Sequence, residues 1–133
     1  MPKIKHIALS TQDVDATAKF YIDVFGMKEI AKIDGPGARG YYLSDGDINL
    51  AILNFKNDAV AGVERGKGWS GIHHIGFQVE SLEEVSGRLS AAGSAPAGSV
   101  GCTSWPRSPR CGTSPCASFA APMEPSISVL RTW

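Results

Sequence analysis

Cysteine, charge of one sign and long apolar runs are all scarce in this 133-residue chain. The three cysteines, Cys102, Cys111 and Cys116, are odd in number and spaced like no zinc motif, which excludes a disulfide framework and a structural zinc site as organising devices. Thirteen basic residues balance thirteen acidic ones. With neither a basic stripe nor a block of like charge, no nucleic-acid or membrane-surface partner is expected, and a small molecule is the natural partner. No stretch approaches the roughly 20 apolar residues that span a bilayer. The N-terminus lacks the charged start and apolar run of a signal peptide, so a cytoplasmic location is expected. What is present is a chain 43% apolar and 20% charged, enough for one ordinary core.

Residues 4–10, IKHIALS, alternate Ile4, His6, Ala8 and Ser10 on one face with Lys5, Ile7 and Leu9 on the other, which is strand periodicity. The first face is small and polar, suited to lining a cavity. The following TQDVDATAKFYIDVFG places Val14, Ala18, Tyr21 and Phe25 on one helical face, with Asp13 as N-cap and Gly26 as stop. MKEIAKI reads as a strand, DGPGARG as a loop, and YYLSDGDINLAILN as a hairpin closed tightly at its Asp-Gly pair. Residues 55–71 carry five charges and four glycines without a period and read as a surface connection. The order to this point is βαβββ.

The pattern then restarts. HIALS at 6–10 and HIGFQ at 74–78 share a histidine, an isoleucine, a small residue, a large apolar residue and a polar one, and each precedes a helical segment. The second helix sets Leu82, Val85 and Leu89 on one face and ends at Gly93. This is an internal duplication. Alternation also settles the adjacent histidines of SGIHHIGFQVE: His74, Gly76 and Gln78 share one face, His73, Ile75, Phe77 and Val79 the other. A lone strand histidine is more often a satisfied core residue than a ligand. His6 and His74, however, occupy equivalent repeat positions, and neutral imidazoles so placed are a natural pair of metal donors. His73 has no repeat partner.

HIALSTQDVDATAKFYIDVFGMK and GIHHIGFQVESLEE resemble the two module starts of the vicinal oxygen chelate superfamily, which includes glyoxalase I, bleomycin-resistance proteins and extradiol dioxygenases. The resemblance covers residues 4–93. It implies an α+β fold in which two βαβββ modules form an incomplete barrel around one divalent ion (Fe, Mn, Ni or Zn), held by the first and fourth strands of each module. On that pattern the modules are residues 1–55 and 72–93 of a single domain, joined by a linker at 56–71 and followed by an atypical tail at 94–133. The second module is disrupted after its helix. The metal positions fall on His6, His74 and Asn49, although a residue beside a hairpin turn is the plainer account of Asn49. Glyoxalase I would place a glutamate or glutamine there, so the shorter asparagine departs from it. A neutral residue is less troubling if the site follows the set of two histidines and one carboxylate used by non-haem iron oxygenases. Tyr41, Tyr42 and Gln78 are substrate-contact candidates, with ordinary strand residues as the plainer alternative. The resemblance implies a metal-dependent lyase, isomerase or ring-cleaving dioxygenase acting on a small molecule with vicinal oxygens, assembled as a homodimer. The rivals are a metal-free ligand-sequestering protein of the bleomycin-resistance type and an inactive product of a damaged gene.

The tail motivates the last rival. Residues 94–133 hold six of eight prolines, all three cysteines and eight serines, but one acidic residue, Glu124, against twelve before it. Only SISVLRTW still alternates like a strand. The family's final ligand is an acid on the last strand after a Pro-Asp-Gly turn, and this chain has neither. Read one base earlier, however, the codons for Met123 and Glu124 force a glycine and permit an aspartate before it. A frameshift between about Ala92 and Val100 is therefore the expectation, to be checked by resequencing the locus; codons incompatible with that turn would sink it.

Overall fold

The computed structural model describes residues 1–94 and, beyond them, the backbone of two strands, Ala117–Phe119 and Ser126–Arg131. The chain divides into two compact units, one of residues 6–73 and one made of residues 1–5 with 74–133.

The first unit follows the βαβββ order read from the sequence: β1 (Lys3–Ser10), α1 (Val14–Phe25), β2 (Lys28–Asp34), β3 (Ala38–Ser44) and β4 (Asn49–Phe55), then a short α2 (Asp58–Ala61). Its strands lie in the order β2-β3-β4-β1, antiparallel except for the parallel β1/β4 pair. Helix α1 starts where the Asp13 carboxylate accepts from the Ala16 N–H and stops at Gly26, whose φ of 67° is the left-handed conformation that glycine adopts without strain. Its apolar stripe, Val14 and Ala18, packs on Leu43, Leu50 and Ile52 of the sheet. Ile22 and Met27 fill the core at the helix end. Phe25, placed in that stripe by the sequence, is instead 65% exposed, its ring against those of Phe20 and Tyr21. The opposite sheet face buries Ala8, Tyr42, Ala51, Leu53 and Phe55 with Ala61 of α2.

Three local expectations change. The loop expected at 34–40 shrinks to 35–37, because β3 begins at Ala38 and passes through Gly40. The Asp-Gly connection is four residues rather than a tight two-residue turn, because the Asp45 carboxylate accepts from the N–H groups of both Asp47 (2.8 Å) and Ile48 (2.7 Å). The connection after β4, read as having no period, contains the short helix α2. Asn57 caps α2 by accepting from the Val60 N–H, Ser10 Oγ donates to the Trp69 carbonyl at 2.9 Å, and the Arg65 guanidinium lies 4.5 Å from the Trp69 ring centre.

In the second unit the strand β5 (Gly71–Val79), which begins in the first unit, leads into α3 (Leu82–Ala91), and β6 (Ala117–Phe119) and β7 (Ser126–Arg131) follow. The strand order is β5-β7-β6, with β5 and β7 parallel. Ser81 caps α3 by accepting from the Glu84 N–H. Val79 is buried among Phe77, Leu82, Val85 and Leu89, the faces predicted for β5 and α3. Glu124, the three cysteines and most of the tail lie outside the described residues. Among the described residues no helix is long and apolar enough to cross a membrane.

The repeat extends from sequence into register. In the first unit His6 pairs with Asn49 on the parallel β1/β4 ladder; in the second His74 pairs with Ser126 on the parallel β5/β7 ladder. Position 126 is thus the counterpart of position 49.

Candidate functional site

The site begins with strand alternation. β1 sends His6, Ala8 and Ser10 to the face opposite α1, and β4 sends Asn49, Ala51 and Leu53 to the same face. Parallel register sets His6 beside Asn49 and Ala8 beside Ala51. His6 Nδ1 and Asn49 Oδ1 are 3.0 Å apart. His6 is only 2% exposed. Removal from water disfavours the imidazolium and brings its pKa down from 6.5 to about 4, against a smaller upward effect of the Asn49 bond. The ring is therefore neutral at physiological pH. A neutral imidazole has one unprotonated nitrogen and no charge to repel a cation, which is the form that binds divalent metals. The first unit thus contributes one neutral imidazole of the donor type that the sequence resemblance implies. Among the described residues no three His, Cys, Asp or Glu side chains form a metal-holding group, so histidine and amide, not a carboxylate cluster, are what the first unit offers.

Tyr41 and Tyr42 lie on opposite faces. Tyr42 shares the face of His6, is 5% exposed, and burial raises its phenol pKa, so it stays protonated and can donate. Tyr41 lies with α1: its hydroxyl bonds the Asp15 carboxylate, which also receives Arg39 at 2.6 Å. Those partners, the Tyr41 bond foremost, hold the Asp15 carboxyl below its usual range. This Asp15, Arg39 and Tyr41 cluster was not legible in the sequence, where the three lie 24 and 26 residues apart from Asp15.

In the second unit His74 and Gln78 are half-buried and, by alternation, share a face of β5. His73 belongs to the first unit. Its Nε2 donates to the Ala61 carbonyl at 2.8 Å, its ring centre lies 4.5 Å from that of Phe55, and burial lowers its pKa. It fastens α2 to β5. The first unit also holds an open cleft of about 570 Å³ lined by Gln12, Asn54, Lys56, Asp58 and Lys67 among others. No motif pointed to it. Its polar groups are largely committed: Gln12 donates to the Lys67 carbonyl, Asn54 to the Thr11 carbonyl, and Lys56 to Asp34.

A model of the Glyoxalase/Bleomycin resistance protein/Dioxygenase superfamily matches residues 3–105. No curated protein matches the chain in sequence. Among solved structures, a hypothetical protein from Bacillus halodurans C-125 is similar at a TM-score of 0.70 and 19% identity, covering 99% of this chain and 95% of that one. Methylmalonyl-CoA epimerase from Mycobacterium tuberculosis is similar at 0.67 and 16% identity, covering 96% and 86%. Streptomyces coelicolor methylmalonyl-CoA epimerase in complex with 2-nitronate-propionyl-CoA is similar at 0.64 and 20% identity, covering 96% of each. These structural likenesses establish the shared α+β fold with its open sheet.

Proposed function

The chain belongs to the glyoxalase/bleomycin resistance protein/dioxygenase superfamily, and from that membership we propose that it is a divalent-metal-dependent enzyme acting on a small molecule with two neighbouring oxygens. The observation that carries the proposal is the buried, neutral His6 beside Asn49, whose repeat counterpart is His74. His6 and His74 would hold the ion. When bound, such an ion supplies Lewis-acid stabilisation of negative charge developing on substrate oxygen.

The chain's own residues contribute three things. Ala8 and Ala51, both fully buried, form the next rung of the same face beside His6 and Asn49. Tyr42 supplies a protonated phenol on the same face. His6, held neutral, keeps its lone pair without surrendering a proton. The methylmalonyl-CoA epimerases among the similar structures favour proton-transfer chemistry, isomerase or lyase, over ring cleavage. A homodimer is part of the proposal.

Elemental analysis of purified full-length protein after loading with Mn, Ni, Zn or Fe tests it. About one ion per chain is expected, falling below a tenth in His74→Ala and in His6→Gln, with circular dichroism confirming that each variant is folded. An ion content far below one per chain under every loading condition ends the enzyme proposal.

One observation favours a second reading. The positions in register with the two histidines are Asn49 and Ser126, neither of them a carboxylate. A site of neutral donors holds a divalent ion weakly, and a metal-free ligand-sequestering protein is what such a chain would become. Ser126→Glu separates the two: under the enzyme reading it adds a charge at the counterpart of position 49 and raises metal affinity roughly tenfold or more. Under the second reading affinity is unchanged and ligand binding is indifferent to chelators.

A further inference from the structure

We infer that the outer edge of β2 is an interface for a second copy of this chain, paired antiparallel about a two-fold axis at Ala31 so that Glu29 of each copy faces the partner's Lys32. Such a contact locates the homodimer proposed above; it builds on that reading and uses no residue of the metal site.

Strand β2 ends the strand order of the sheet and pairs only with β3. Its outward-pointing N–H and C=O groups are therefore a template for another strand. Charged side chains and a bulge commonly protect such an edge, and β2 has both. Their arrangement here favours pairing instead. The register slips between Glu29 and Ala31, so that Glu29 lies opposite Leu43, Ala31 opposite Tyr42 and Lys32 opposite Tyr41. Leu43 and Tyr41 belong to the face covered by α1, so Glu29 and Lys32 share that face although they are three residues apart. In a regular strand an odd spacing would send them to opposite faces. Ile30, the residue left out of the ladder, is 58% exposed, an apolar side chain ill suited to a protected edge.

Charge complementarity selects both the occupant and the register. With Ala31 against the partner's Ala31, each Glu29 stands opposite a Lys32 on the α1 face and each Lys28 opposite an Ile33 on the other, with Ile30 outside the count. Opposite charges directly across a strand pair attract, like charges repel, and a two-fold axis doubles either effect. Moving the axis one residue along the ladder sets Glu29 against Glu29 in one direction, or Lys32 against Lys32 and Glu29 against Asp34 in the other. An axis at Ile33 matches Lys32 with Asp34 but pairs only the part of the strand after the bulge, and Asp34 already holds Lys56. Glu29 and Lys32 are both exposed, and among the described residues neither forms an ion pair within the chain; Lys32 lies 5.4 Å from the centre of the Tyr41 ring. A second copy supplies each with its counter-charge.

The experiment is sedimentation velocity of the full, metal-free chain across a concentration series. One strand pair is smaller than the roughly 800 Å² a side of a standard interface, so a reversible dimer with a dissociation constant of about 1–100 μM is expected. Glu29→Lys, which sets lysine against lysine twice, raises that constant about tenfold or more, and Lys32→Glu, which sets glutamate against glutamate, does the same. Mixing the two variants restores every opposite-charge pair, and a heterodimer of about the original affinity forms. Circular dichroism confirms that each variant is folded. A chain monomeric at every concentration overturns the inference and the homodimer with it. A dimer that neither substitution weakens, or variants that fail to recover one another on mixing, overturns the β2 interface and leaves the homodimer and metal proposals standing.

Discussion

Gly40→Ala is expected to destabilise the protein by about 3 kcal/mol or more, enough to lower the melting temperature by roughly 10 °C or more. Gly40 lies within β3 opposite Leu53 of β4. A Cβ there would stand 1.9 Å from the Ile52 carbonyl oxygen and 2.9 Å from its carbon. Both are backbone atoms of a buried central strand and cannot swing aside as a side-chain tip could. The residue also holds a φ of +156°, at the edge of the region that other residues avoid. Relief requires β3 and β4 to part, and β4 is the strand that carries Asn49 to His6. Gly26→Ala is the control. Its φ is also positive, but a Cβ meets nothing within 4 Å. It is expected to cost only about 1 kcal/mol, the left-handed penalty alone. Thermal unfolding of the two variants decides the matter: equal costs would mean that conformation, not the approach to Ile52, makes Gly40 necessary.

Acid is expected to weaken the metal-free protein well above the range in which carboxylates titrate. The folded pKa of His6 is about 4, against 6.5 when exposed to water. Between those values the unfolded chain takes up a proton at His6 that the folded chain refuses. Stability therefore rises with pH through this window and falls as pH drops through it. At about 1.4 kcal/mol per pKa unit, the loss comes to roughly 3 kcal/mol by pH 4. Above 6.5 the contribution is constant. His73, whose pKa burial also lowers, acts in the same direction. Urea unfolding of chelator-treated protein at about pH 7 and about pH 4.5 measures the effect. His6→Gln, which cannot titrate, should flatten most of it. A midpoint independent of pH over this interval would show that His6 is hydrated in solution.

Much of this was legible in the chain itself, because the signals were local. Asp13 and Gly26 mark both ends of α1, and alternation alone separates His74 from His73. The same alternation, applied to Tyr41 and Tyr42, separates them too; one faces Asp15 on α1 and the other the alanine-lined face of His6. Helix α2 was hidden because four residues carry no period, although Asn57 as cap and a buried Ala61 were its traces. The pairing of His6 with Asn49 joins residues 43 apart through a parallel register, which no local pattern encodes. The family resemblance named both positions, and only the register showed which nitrogen the asparagine meets. The assignment of position 126 as the counterpart of position 49 likewise came from ladder register, since Asn and Ser share no sequence signal.

The division of the chain into residues 6–73 and residues 1–5 with 74–133 has a consequence for the order of assembly. One unit is continuous and can close on itself while the rest of the polypeptide is still being synthesised. The other is split, and its first five residues must wait for a segment that emerges a full unit later. The finished first unit shortens that wait in entropic terms, because a folded insert leaves far less loop to close than a free chain of the same length. The unit that holds His6 and Asn49 thus draws on one unbroken stretch of chain and needs no residue beyond His73, whereas the unit that holds His74 needs both termini of the chain.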